Sequence, residues 1–158
     1  MIIWKSPRKL PRRKPDYCLY ISAVPPTLNK VIHVNWKVYN SFAHKWTAVK
    51  NRNKVTKSNG FIANALIEQF GTLDDLPYDV FDTAYGRFTF LWPRARDRVN
   101  WAFGIKWIED ALQYTGIIKN DAFDVWFCQV EWQKVPKEKR GTIVEVWNGP
   151  GKPKRKTK

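Results

Sequence analysis

Asp97, Lys106, Asp110 and Asp121 fall within one stretch, RDRVNWAFGIKWIEDALQYTGIIKND (residues 96–121), whose middle has the apolar spacing of a helix. Carboxylates and water are the oxygen donors that Mg²⁺ prefers. A lysine beside them suits the developing charge of a phosphodiester transition state. Counting 100° per residue, position 99 lies within about 20° of both Lys106 and Asp110 on the helix. Plainer roles exist for each residue. Asp97 stands where a carboxylate caps orphan N–H groups, and Asp121 follows Asn120 as a turn residue would. Lys106 and Asp110 have the spacing of an i, i+4 ion pair, worth a few tenths of a kcal/mol at about the most. The chemical reading requires Asp97 and Asp121 to converge. A strand–helix–strand unit permits that only if the chain returns alongside its start.

The elements that would position these groups follow from periodicity. YCLYISAV (17–24) is rich in strand formers and stops at Pro25-Pro26. Trp36, Tyr39, Phe42, Ala43, Trp46 and Val49 give the i, i+3, i+4 spacing of a helix over 36–50. A second helix is predicted over 60–70, closed by Gly71. LDDLPYD is a loop, and AYGRFTFLW (84–92) alternates as a strand ended by Pro93. The helix over 99–114 leads to a strand at 123–132. The connection QKVPKEKRG then leads to a last strand at 142–147. Strands alternating with helices, plus a terminal antiparallel pair, predict one α+β domain: a mixed β-sheet with helices packed on it. No internal repeat is visible.

Charge narrows the partners. The chain has 158 residues, enough for one core, and a formal net charge of +14. Such an excess gathers polyanions, either nucleic acid or an anionic membrane. No apolar run reaches the roughly 18 residues of a bilayer span, and the first residues contain no apolar segment of signal-peptide length. A soluble, intracellular protein without membrane attachment is expected. Six basic residues lie in the first 14 positions and five in the last seven. Residues 1–16 and 149–158 therefore read as disordered basic arms flanking a domain over 17–148. Cys18 and Cys128 form no C-x-x-C pair and read as reduced core residues. His33 and His44 have no Cys or acidic partner at ligand spacing, so they do not read as a zinc site; His33 suits a DNA contact or a turn cap. The nine Trp have mostly core spacing, although stacking on unpaired bases is the alternative use. Lys134, Lys137, Lys139 and Arg140 form a basic connection suited to phosphate contacts.

Two motifs resemble the RusA family of Holliday-junction resolvases, common in bacteriophages and prophages. The family pattern is Asp-x-Asp-Asn, then Lys, Asp-x-Leu, Gly and a terminal Asp-Asp. Asp97, Asn100, Lys106, Asp110, Leu112, Gly116 and Asn120-Asp121 fall on it in order. PPTLNKVIHVNW is similar to the family's Pro-Pro-Ser-Leu-Asn segment with its following His and Trp, through Pro25, Pro26, Leu28, Asn29, His33 and Trp36. The closing EWQKVPKEKRGTIVEVW is similar to the last strands of phage members. The resemblance covers about residues 17 to 147. It implies a homodimeric, Mg²⁺-dependent endonuclease that nicks four-way DNA junctions in recombination and repair, in the cytoplasm of a bacterial host, with no small-molecule cofactor. Carried over by position, it implies Asp97 and Asp121 as metal ligands, Lys106 as the phosphate-side cation, and Arg96, Asn100, Asn29, Lys30 and His33 at the DNA. Two positions depart from the pattern. Val99 stands where the family has its second aspartate, and Asn120 replaces the first acid of the terminal pair. Asp124 or Asp110 would have to supply the missing ligand. The alternative is a catalytically silent junction- or nucleic-acid-binding protein on the same scaffold.

Overall fold

The computed structural model describes residues 9–22, 62–95, 98–122 and 124–157, with the backbone alone over 98–103. The predicted helix over 36–50, together with Asn29, Lys30, His33, His44, Arg96 and Asp97, lies outside the described residues.

Four strands form one mixed sheet: β1 (Tyr17–Ile21), β2 (Ala84–Trp92), β3 (Trp126–Lys134) and β4 (Gly141–Asn148), in the order β1-β4-β2-β3. β4 is antiparallel to both neighbours, and β2 runs parallel to β3. Helix α1 is described over 62–70, and α2 (Arg98–Tyr114) is the crossover between β2 and β3. This is the predicted α+β class with a mixed sheet.

Period-2 alternation assigns the faces. Ala84, Phe88 and Phe90 of β2, Tyr17 and Leu19 of β1, Val144 and Val146 of β4 and Trp126 of β3 share one core. Ile62 and Leu66 of α1 and Ile108, Ala111 and Leu112 of α2 belong to the same core, so both helices cover one face of the sheet. Phe88 is fully buried, which is worth roughly 1.5–3 kcal/mol for a side chain of its kind. On the opposite face Arg87 stands directly across from Glu145. Its Nη2 donates to Oε1 at 2.9 Å, and its guanidinium lies 5.7 Å from the Trp147 ring centroid.

Three expectations need correction. The terminal antiparallel pair does not form, because β2 lies between β3 and β4. β4 takes the inner position since Val144, Val146 and Trp147 all need burial, while the last residues of β3 are exposed. The basic connection therefore crosses the end of β2, where the Val135 N–H meets the Trp92 carbonyl and Arg140 stacks 4.9 Å from the Trp92 ring. Next, Cys18 is not a core residue. It occupies the exposed face of β1, because Tyr17 and Leu19 take the inward positions. Cys128 does pack against the core, and burial pushes its thiol pKa upward.

The described parts of the arms, residues 9–16 and 149–157, are also more ordered than their composition predicts. Asp16 N–H continues the β1 ladder to Val146 O at 2.9 Å, and Asp16 Oδ2 accepts from Asn148 N–H at 2.8 Å. Arg13 donates to Asp16, Asn148 O and Gly151 O, while its own carbonyl accepts the Trp147 indole N–H at 2.8 Å. At the other end, Asp79 N–H donates to Lys154 O and Lys156 N–H to Pro77 O, both at 3.1 Å. Charged side chains stay in water while the backbone pairs, which hydropathy does not register. Deleting residues 152–158 is expected to cost about 1–2 kcal/mol, the net worth of two backbone hydrogen bonds. Thermal melting of the full and truncated chains checks this.

Candidate functional site

The strand–helix–strand unit β2–α2–β3 carries the site. α2 ends in a Schellman arrangement: Ile117 N–H donates to Leu112 O at 3.0 Å, and Gly116 N–H to Gln113 O at 3.1 Å. Gly116 has φ +78°, a left-handed conformation that a side chain disfavours. Its position in the motif is thus explained by helix termination. The chain is then tied back to the start of β2, with Phe81 N–H on Ile117 O at 2.9 Å and Lys119 N–H on Phe81 O at 3.0 Å. Asn120 Oδ1 accepts from Ala122 N–H at 3.1 Å, an Asx turn that an aspartate could also make. Val125 and Trp126 N–H both reach Ala122 O. That turn delays β3 to Trp126, three residues after its predicted start.

Held this way, Asp121 reaches back to the middle of α2. Lys106 Nζ lies 2.7 Å from Asp121 Oδ2 and 2.7 Å from Asp110 Oδ1. The ammonium therefore sits between two carboxylates brought together from eleven residues apart. Hydrogen bonds to Asp110 and then Asp121 hold the Lys106 pKa well above its usual value, so it stays cationic at any physiological pH. Lys106 is more than half exposed, so each pair is worth about 0–1 kcal/mol to stability. The cluster is not explained by a need to hold the fold together.

Glu109, which the sequence reading missed, lies beside it. Its Oε1 accepts the Trp126 indole N–H at 2.7 Å. Burial pushes its pKa upward, the indole bond opposes that shift, and Asp121 adds to it. The available signal was its place in the apolar stripe of Ile105, Ile108 and Leu112, where a charged side chain needs a partner.

The sequence-predicted residues thus divide. Lys106, Asp110 and Asp121 come together. Asp97 and Arg96 lie outside the described residues, and Asn100 is described by its backbone alone. Asp121 meets Lys106, in the middle of α2, and its expected convergence with Asp97 lies outside the described residues. At 1.5 Å per residue, the first residue of α2 is about 12 Å along the axis from Lys106. Asp124 is exposed in the turn entering β3. Lys134, Lys137 and Lys139 are exposed around the 3-10 turn Lys137–Lys139. Arg140 is engaged by Lys137 O and the Trp92 ring. At about 3.3 Å per residue, Lys134 is roughly 26 Å along β3 from Trp126.

Among the described residues no group of three or more His, Cys, Asp or Glu gathers with metal-ligand geometry. Asp110 and Asp121 both meet Lys106, and Mg²⁺ is an ion commonly held by one or two carboxylates together with waters and substrate phosphates. Among the described residues no helix is long and apolar enough to cross a membrane. The sequence matches no known protein-family model and no curated protein.

Proposed function

We propose that this chain is a Mg²⁺-dependent, structure-selective endonuclease acting on four-way DNA junctions, of the RusA type that its motifs resemble. The observation that carries the reading is the convergence of Asp110 and Asp121 on Lys106. Asp110 and Asp121 are the residues that would hold Mg²⁺, which when bound orients water and offsets charge on the phosphoryl group. With Asp110 and Asp121 holding a cation, Lys106 would be free to face the scissile phosphate. Lys134, Lys137 and Lys139 extend the footprint along the sheet by about eight base pairs, at about 3.4 Å rise each.

One observation favours a second reading, a catalytically silent junction- or nucleic-acid-binding protein. The Lys106 ammonium already pairs with both carboxylates and offsets one of their two charges, and Val99 brings no further acid. Incubation of a synthetic four-way junction with Mg²⁺, against EDTA, separates the two. Nicking that requires Mg²⁺ is expected. Junction-selective binding with no nicking would establish the silent protein, and equal affinity for junction and linear duplex would remove junction selectivity from both readings.

A further inference from the structure

The two basic arms, far apart in sequence, meet in one knot. Arg13 forks onto Asp16, with Nη2 2.7 Å from Oδ2, and the same Nη2 donates to Asn148 O at 3.1 Å and Gly151 O at 3.0 Å. The Trp147 indole N–H returns to Arg13 O at 2.8 Å, and Asn148 N–H to Asp16 Oδ2 at 2.8 Å. The Asp16 side chain is only 7% exposed, so its charge is taken up inside the knot together with that of Arg13. The cations on either side, Arg12, Lys14 and Lys152, are exposed. Like charges gathered on one surface repel one another, and a polyanion relieves that repulsion.

We propose that Arg12, Lys14 and Lys152 form one phosphate-contacting patch for duplex nucleic acid, assembled from both ends of the chain by the Arg13–Asp16 knot. Arg12 and Lys14 flank Arg13 directly, and Lys152 follows Gly151, whose carbonyl Arg13 holds. Duplex DNA carries one charge per about 1.7 Å of its axis, so cations set this close together meet a row of phosphates. The place of the knot favours nucleic acid over an anionic membrane. Asn148 pairs with Ala84, and Ala84 with Trp126, so the knot lies at the end of the sheet where the turn carrying Asp121 enters β3. Neighbouring strands are about 4.8 Å apart, which puts the end of β4 roughly 10 Å from the start of β3. A duplex seated at Lys106 and Asp121 therefore has the patch within reach. Lys134 lies at the opposite end of β3, so the patch is separate from the basic connection. The choice of nucleic acid rests on the nuclease reading; the gathering of the three cations rests on the knot alone.

Binding of a short fluorescent linear duplex to the full chain, across a salt series in EDTA, tests the patch without requiring cleavage. Arg12→Gln, Lys14→Gln and Lys152→Gln together should lower the slope of log affinity against log salt by about 2–3, at about 0.9 per phosphate contact. Arg13→Lys keeps the net charge but cannot serve Asp16, Asn148 O and Gly151 O with one fork. It should weaken duplex binding about fivefold in the otherwise unmodified chain, and much less in the triple variant, where the knot has no patch left to align. Circular dichroism confirms that each variant is folded. Should Arg13→Lys fail to fold, the slope of the triple variant decides, since its three positions are exposed. An unchanged slope in the triple variant would overturn the proposal, as would a folded Arg13→Lys that binds like the unmodified chain. So would tighter binding to phosphatidylserine vesicles than to the duplex at the same salt, lost in the triple variant, which would make the patch a membrane contact. Duplex binding that depends on the patch, in a chain that never nicks a junction, would uphold the patch and remove the nuclease reading alone.

Discussion

Asp121→Asn is expected to lower Mg²⁺-dependent nicking of a four-way junction at least 100-fold while leaving junction affinity within about twofold. The substitution keeps the size and turn position of the side chain but removes its charge. Lys106 then keeps one carboxylate partner, Asp110, and the pair proposed to hold Mg²⁺ loses half its ligand charge. Stability should change by less than about 1 kcal/mol, because Lys106 is mostly exposed and such pairs contribute little. Lys106→Ala should match the loss of nicking but also weaken binding slightly, having removed a cation. Val99→Asp restores the Asp-x-Asp-Asn spacing yet adds its acid about 10 Å along the helix axis from Lys106, at about 1.5 Å per residue. It is therefore expected to leave nicking unchanged. Single-turnover nicking and melting on the four proteins check the set. Full activity in Asp121→Asn would remove the Lys106 cluster from the chemistry. A large gain in Val99→Asp would move the metal to the helix entrance.

The second large effect concerns Gly86, at the centre of the core-facing side of β2. A Cβ added there would overlap the indole of Trp126, with Cζ2 at 2.6 Å, and the indole is wedged between the strand and Glu109. Gly86→Ala forces that ring to move, and overpacking of this kind costs about 1–3 kcal/mol. For a chain of this size the fall in Tm is roughly 3–10 °C. The displaced indole also gives up its bond to Glu109, leaving a half-buried carboxylate without its donor. Trp126→Leu opens the space, so Gly86→Ala in that background should cost clearly less than in the unmodified protein. Additive losses across the cycle would mean that the strand, not the ring, resists the methyl group.

Local sequence determined the elements wherever one period dominated. AYGRFTFLW alternates from Ala84 through Phe90 and forms β2 over the predicted residues, Ala84–Trp92. The 3.6-residue stripe through Ile105, Ile108 and Leu112 placed α2 to within a residue at its start, and Gly71 and Gly116 stop the two described helices. Types and spacing also singled out Lys106, Asp110 and Asp121. Sequence could not decide which strands adjoin, since an alternating strand is compatible with several neighbours. Burial settled that by giving β4 the inner place and leaving β3 at the edge. Nor could it decide the arms, because backbone bonds such as those of Lys154 and Lys156 leave no trace in side-chain polarity. Where Asp121 points was a tertiary matter too. A helix length, a Schellman stop, a tie to Phe81 and an Asx turn together fix that carboxylate, and each acts through backbone geometry. Their combined effect sets Asp121 on Lys106 in the middle of α2, about two helical turns short of the entrance that Asp97 precedes.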